Sequence, residues 1–81
     1  MLNEIIPLVM ASPGKLYRVT AINSGWRLQR RLADMGLTPG IQVSVMHSQY
    51  AGPVLINLRG SRLGLGYGMA QKILVKEVKD G

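Results

Sequence analysis

Few side chains in this sequence of 81 residues could support metal or acid–base chemistry. The sequence has one histidine, His47, no cysteine, and four carboxylates, which are Glu4, Asp34, Glu77 and Asp80. A structural zinc ion takes four nitrogen or sulfur ligands, and a non-haem ferrous site takes two histidines and a carboxylate. Catalysis needs a nucleophile or an acid that is paired with a base. The sequence therefore predicts a non-enzyme without a metal site or a cofactor.

A glycine-rich run, Gly64-Leu65-Gly66-Tyr67-Gly68, resembles a phosphate-binding loop at first sight. It lacks the Gly-Lys-Ser/Thr signature, and Met69 stands where a dinucleotide-binding fingerprint requires glycine. Glycines inside short strands often mark bulges or corners of a barrel. We interpret the run as a structural corner.

A basic and aromatic surface is the strongest binding candidate. At 100° per residue along a helix, Trp26, Arg27, Arg30 and Arg31 lie away from an apolar stripe. Tryptophan and arginine are the residue types that dominate binding hot spots. Asp34 follows Arg30 by four residues, which predicts a surface ion pair. The stripe that should face the core consists of Leu28, Leu32 and Met35.

The net charge of +6 favours an acidic partner, a nucleic acid or an anionic membrane face. A solvated basic surface without a specific ligand is the alternative on charge alone. Nucleic acid is disfavoured because the chain has no phenylalanine, and Tyr17, Tyr50 and Tyr67 are too scattered for a stacking platform.

The stretch from Trp26 to Val45 must position this surface. Ser24 is placed to cap the helix, since its hydroxyl can accept an amide of the first turn. Gly36 ends the helix, because a left-handed residue there costs glycine nothing. In such a stop Leu37 contacts Leu32.

A turn and a strand follow the helix. Thr38-Pro39-Gly40 has proline and glycine at the two central positions of a type II turn. Apolar residues then alternate with polar ones from Ile41 to His47, as in a half-buried strand.

The remaining chain predicts a small, mostly β, partly closed barrel in a single domain, residues 1–81. Residues 1–14 form a lead-in, in which Pro7 would be the first residue of one helical turn. The first strand, residues 15–22, has apolar side chains on both faces, which predicts either burial on more than one side or a strand that bends across a barrel. Further strands are expected over 54–59, 62–65 and 72–78, with a helical turn over 67–71 and a turn at Gly60-Ser61.

The motif Arg-Arg-Leu-x-x-Met-Gly-Leu-x-Pro-Gly-x-x-Val-x-Val, from Arg30 to Val45, resembles the core motif of the FeoA family. The resemblance covers roughly residues 15–78. It continues through Gly52-Pro53-Val54, Arg59-Gly60, Leu63-Gly64-Leu65-Gly66, Met69-Ala70, Ile73 and Val75.

The resemblance implies an SH3-like barrel of about five strands with a helix inserted after the first strand. It also implies an accessory protein of bacterial ferrous iron transport, which acts with FeoB, a membrane permease that has a cytoplasmic GTPase domain. We expect a cytoplasmic protein that is held at the inner face of the membrane through this partner, without membrane insertion. Our hypothesis for the contact surface is Trp26, Arg27, Arg30, Arg31 and Leu37.

Two alternatives belong to other classes. The C-terminal domain of iron-dependent repressors is similar to FeoA, which suggests a regulatory module, although no helix-turn-helix is expected before this domain. A small barrel that binds RNA or DNA would suit the pI of 10.4, and its affinity would fall steeply with salt.

Overall fold

Six strands and two short helices make up the chain in a computed structural model, which describes residues 4–49 and 51–79. Tyr50 and Asp80, which the sequence analysis considered, lie outside the described residues. The strands form one sheet in the order β1-β6-β2-β3-β4-β5, and all neighbours are antiparallel. The mostly β prediction is confirmed. The bounds are β1 Ile5–Pro7, β2 Leu16–Ile22, α1 Trp26–Asp34, β3 Gln42–Ser48, β4 Val54–Leu58, β5 Ser61–Leu65, α2 Tyr67–Ala70 and β6 Ile73–Glu77.

Alternating side chains of the strands build the core. β4 shows this two-residue alternation most clearly, since Val54, Ile56 and Leu58 are buried and the residues between them are half-buried. Val43 and Val45 of β3 join the same cluster, as do residues of β2, β6 and α1. No polar or charged side chain is buried among the described residues. Burial of the apolar face of the sheet therefore stabilises the packing of the strands.

β2 is buried on one face, so the prediction of burial on more than one side is wrong, and the alternative expectation of a strand that bends fits the structure. Tyr17 and Val19 are buried, but Leu16 is 38% exposed. The register with β6 shifts between Val19 and Ala21, which is a β-bulge. The extra residue changes the phase of the alternation, and Ile22 instead of Ala21 faces the core.

The sequence prediction missed β1. Ile5–Pro7 pairs with β6, and Pro7 is the N-cap of a 3₁₀ turn, Leu8–Met10, rather than its first residue. Three residues are too few to show alternation, and proline is tolerated because an edge strand leaves amides unpaired. The sheet consequently has six strands instead of about five, and α1 follows the second strand.

The hairpin between β4 and β5 turns one residue earlier than predicted. Arg59 and Gly60 both have positive φ, at 51° and 84°, as a two-residue type I′ turn requires. The Gly60 amide donates to Oδ1 of Asn57 at 2.9 Å. Ser61 therefore already belongs to β5, and the strand predicted to reach Arg59 ends at Leu58.

The start of α1 differs from the prediction. Gly25, not Ser24, is the N-cap, and no side chain caps the first turn. The side-chain amide of Gln29 instead donates to the carbonyl of Ser24 at 2.7 Å. Gly25 takes the extended backbone of an N-cap, which moves Ser24 one residue too far from the first-turn amides.

The predicted glycine stop of α1 is confirmed. Gly36 has φ +94°. The amide of Leu37 donates to the carbonyl of Leu32 at 2.8 Å, and the amide of Gly36 donates to Ala33 at 2.9 Å. These two bonds define a Schellman motif. Leu32 and Leu37 are both fully buried, as the hydrophobic contact of that motif requires.

The type II turn is also confirmed. Gly40 has φ +98°, and the amide of Ile41 donates to the carbonyl of Thr38 at 3.1 Å, across Pro39. The amide of Gly40 donates to the carbonyl of Val19 at 2.7 Å. The turn thus fixes the end of the helical segment against β2.

Replacing Gly36 with alanine should destabilise the protein more than the same change at Gly40. Both residues have positive φ, which costs alanine roughly 1–2 kcal/mol. At Gly36 the new Cβ would also lie 3.1 Å from Cδ2 of Leu58, whereas at Gly40 it meets nothing within 4 Å. Urea denaturation measures both losses.

Gly68→Ala is the matched control, since Gly68 lies in α2 without positive φ and its Cβ would meet no atom within 4 Å. Alanine should be neutral or slightly stabilising there. Equal stability of the three variants would show that Gly36 is not held in the left-handed conformation.

Candidate functional site

The exposed face of α1 carries the predicted aromatic and basic residues. Trp26 is 68% exposed, and the side chains of Arg27, Arg30 and Arg31 are all exposed. We call these four residues the helix surface. The structure thus brings four of the five predicted contact residues together on one element.

The arginines of the helix surface form no salt bridge with a carboxylate within the described part of the chain. The predicted ion pair between Arg30 and Asp34 does not form. Across residues 4–49 and 51–79, the salt bridge is between Lys15 and Glu77, with 3.8 Å between Nζ and Oε1. The guanidinium groups of α1 are therefore available for contacts with an anionic partner.

Leu37 does not belong to this surface, and its inclusion was wrong. Its side chain is fully buried, because the Schellman stop packs it against Leu32. The signal that could have excluded it was present in the sequence: a leucine directly after the glycine of a helix stop is normally a core contact.

Met35 is more exposed than predicted, whereas Leu37 is more buried than predicted. Met35 was expected in the core stripe, but it is 40% exposed. Met35 is the C-cap of α1, with φ −90° and ψ 0°, and the chain has already begun to turn there. Of the predicted stripe, Leu32 is buried and Leu28 is half-buried.

A groove lies between the end of α1 and the β4–β5 hairpin, and the sequence prediction did not include it. Its volume is about 370 Å³. Most of the lining is apolar, with Arg59 as its charged residue. We call it the hairpin groove, and it is lined by Met35, Gly36, Leu58, Arg59, Ser61 and Leu63.

Residues of other chemical types are dispersed. No three His, Cys, Asp or Glu side chains converge as a possible metal site within residues 4–49 and 51–79. His47 is exposed on β3. The glycine-rich run forms the end of β5, the N-cap Gly66 and the start of α2, in agreement with a structural corner. The helix surface and the hairpin groove therefore offer a partner cationic, aromatic and apolar contacts.

The FeoA domain family model matches residues 6–77 of the chain. A protein assigned as Fe(2+) transport protein A in Methanocaldococcus jannaschii is 36% identical over 75 residues. This alignment covers 93% of the present chain and 90% of the relative.

Solved structures give the same result. A crystal structure of an iron uptake regulatory protein, FeoA, superposes with a TM-score of 0.86 at 33% identity, and the match covers 93% of this chain and 100% of the other. A manganese-dependent transcriptional repressor has a TM-score of 0.83 at 20% identity. That match covers 96% of this chain but 44% of the repressor, and it is a likeness of fold alone.

Truncating Leu37 should damage stability, whereas truncating Trp26 should not. Leu37→Ala removes a fully buried side chain and should lower the free energy of unfolding by about 3 kcal/mol. Trp26→Ala changes an exposed residue and should stay within about 0.5 kcal/mol of wild type. Thermal denaturation of both variants measures this. A larger loss for Trp26→Ala would show that the tryptophan packs on the core.

Proposed function

Because this chain belongs to the FeoA family, whose members serve ferrous iron transport, we propose that it is a non-catalytic accessory protein of ferrous iron uptake. Its task is to dock on the cytoplasmic part of a FeoB-like permease. The supporting observation is the helix surface, in which an exposed tryptophan adjoins three arginines without a paired carboxylate among the described residues.

The chemistry of the helix surface favours an acidic protein segment as its partner. Unpaired guanidinium groups attract carboxylates over a Debye length and so raise the rate of association. They also bind carboxylates through two parallel hydrogen bonds, which fixes the orientation of the partner. Trp26 offers a large rigid contact area, and this is how central interface residues supply affinity.

The hairpin groove adds an apolar site beside the C-terminal end of α1. Met35 ends α1 and lines the groove, and it lies one helical turn after Arg31 but about 180° around the helix from Trp26. Trp26 lies at the other end of the helix, about 13 Å away for nine residues. A partner segment could therefore place an apolar side chain in the groove and acidic residues along the helix.

The proposed location follows from the proposed partner. We expect the protein in the cytoplasm, at the inner face of the membrane that holds the permease, and we expect residues 1–81 to act as one domain. Among the described residues, no helix has the length and apolarity needed to cross a membrane.

Reversing the charges of the helix surface should weaken the complex. We expect a weaker complex for the triple variant Arg27→Glu, Arg30→Glu, Arg31→Glu. The dissociation constant of its complex with the cytoplasmic part of the permease should rise by about tenfold or more, because the variant places like charges against an acidic partner. Titration at physiological salt measures this, with circular dichroism as a check of the fold.

A matched control carries the same change in net charge on other elements. Lys72→Glu, Lys76→Glu, Lys79→Glu alters three exposed lysines in or next to β6 and should bind the permease with nearly the wild-type affinity. Unchanged affinity of the arginine variant would contradict the choice of surface. An equal loss in both variants would show that only net charge matters.

A further inference from the structure

A second cationic region lies on the outer face of the sheet. The register places Ile5 opposite Lys76, and Lys76 opposite Arg18. The next row, in which Val75 pairs with Val19, is buried. Side chains that are directly opposite share a face, and successive residues alternate between faces. Ile5, Lys76 and Arg18 therefore form one row that points to solvent.

Exposed aliphatic side chains are interleaved with these cations. Ile5 is 58% exposed, and Leu16, which precedes Arg18 by two residues and so shares its face, is 38% exposed. Val78 continues the face, and its amide donates to the carbonyl of Leu16 at 2.9 Å. The face thus combines positive charge with accessible aliphatic area.

The placement of the cations is unfavourable for the protein alone. Arg18 and Lys76 are direct cross-strand neighbours, and like charges at such positions repel. Nη1 of Arg18 donates to the carbonyl of Gly40 at 3.0 Å, which orients the guanidinium and leaves its other donors available. An anion between the two side chains would relieve the repulsion.

The surroundings of this pair remain positive. Lys79 joins Arg18 and Lys76 around a cavity of about 310 Å³, which Glu77 also lines. Glu77 lies 3.8 Å from Lys15, so a second cation offsets its charge. The other nearby carboxylate in the described chain is Glu4, which is exposed next to Ile5.

We propose that this face docks on the surface of a bilayer that contains anionic lipids. We call it the lipid face and define it by Ile5, Leu16, Arg18, Lys76 and Lys79. Headgroup phosphates bind between Arg18 and Lys76, and the two aliphatic side chains rest at the interface. A soluble phosphate would use the cations alone, and a single-stranded nucleic acid would need exposed aromatic rings. Neither ligand accounts for the exposed isoleucine and leucine.

This inference is independent of the permease proposal, since it concerns different residues. It would nevertheless assist that function. A protein adsorbed on the membrane that contains its partner meets the partner at a raised effective concentration. Weak lipid binding would therefore suffice.

Vesicle sedimentation tests the lipid face. Wild-type protein should bind vesicles of equal parts phosphatidylglycerol and phosphatidylcholine, and should bind pure phosphatidylcholine far less. Each cation near such a surface contributes about fivefold to partitioning, so Arg18→Gln with Lys76→Gln should lose about 25-fold. The control, Arg27→Gln with Arg31→Gln, removes the same charge from the helix surface and should lose far less.

Lys76→Glu separates lipid binding from stability. It replaces a repulsive cross-strand pair with an attractive one, so its melting temperature should equal or exceed that of wild type. Its binding to anionic vesicles should nevertheless fall at least as far as that of the double glutamine variant. Wild-type affinity in this folded variant would overturn the proposal.

Three further outcomes would also overturn it. Equal binding to neutral and anionic vesicles would exclude headgroup recognition. Equal losses in the Arg18/Lys76 and Arg27/Arg31 variants would leave only non-specific charge. The third outcome is that the protein binds inorganic phosphate or single-stranded DNA in a titration but does not bind vesicles. The cations would then serve a soluble phosphate-bearing ligand and not a membrane. Weakened permease binding in the helix variants alone would leave the lipid proposal unaffected.

Discussion

The positive φ of Gly36 is the constraint on which the rest of the structure depends. It turns the chain back so that Leu37 donates its amide to Leu32 and packs against it. The type II turn that follows is bonded to Val19 of β2. Because the C-terminal end of the helix is held at these two points and Leu32 is buried, its basic and aromatic face points to solvent. The surface proposed for binding thus results from a backbone conformation that only glycine adopts at low cost.

Local features were predictable from the sequence because a few neighbouring residues decide them. The glycine stop, the proline–glycine turn and the alternation of β4 are examples. Features that depend on distant pairing were not predictable. β1 exists because Ile5–Pro7 meets β6, the hairpin groove forms where the β4–β5 turn approaches α1, and the lipid face needs the register of three strands. Leu37 is the exception, because its burial followed from the stop that the sequence had already indicated.

Fold and function are separable in this molecule. The same architecture occurs within a manganese-dependent transcriptional repressor, of which the chain spans 44%, so the fold by itself is compatible with a regulatory module. Membership of the FeoA family assigns the chain to ferrous iron transport. The residues that would carry out the task must be argued from the surface. Two cationic regions of different composition, one with tryptophan and one with aliphatic side chains, favour two different contacts.

The most direct test of docking through the helix surface is a nuclear magnetic resonance titration of the isotope-labelled protein with the cytoplasmic part of the permease. If the protein docks through the helix surface, the indole resonance of Trp26 and the amide resonances of Arg27 to Arg31 should shift, together with those of Met35 and Leu63 of the hairpin groove. The amide resonances of β6, and those of the β2 residues whose side chains point to solvent, should not shift. Shifts confined to β6 and β2, with an unchanged indole resonance, would show that the helix surface is not the docking site.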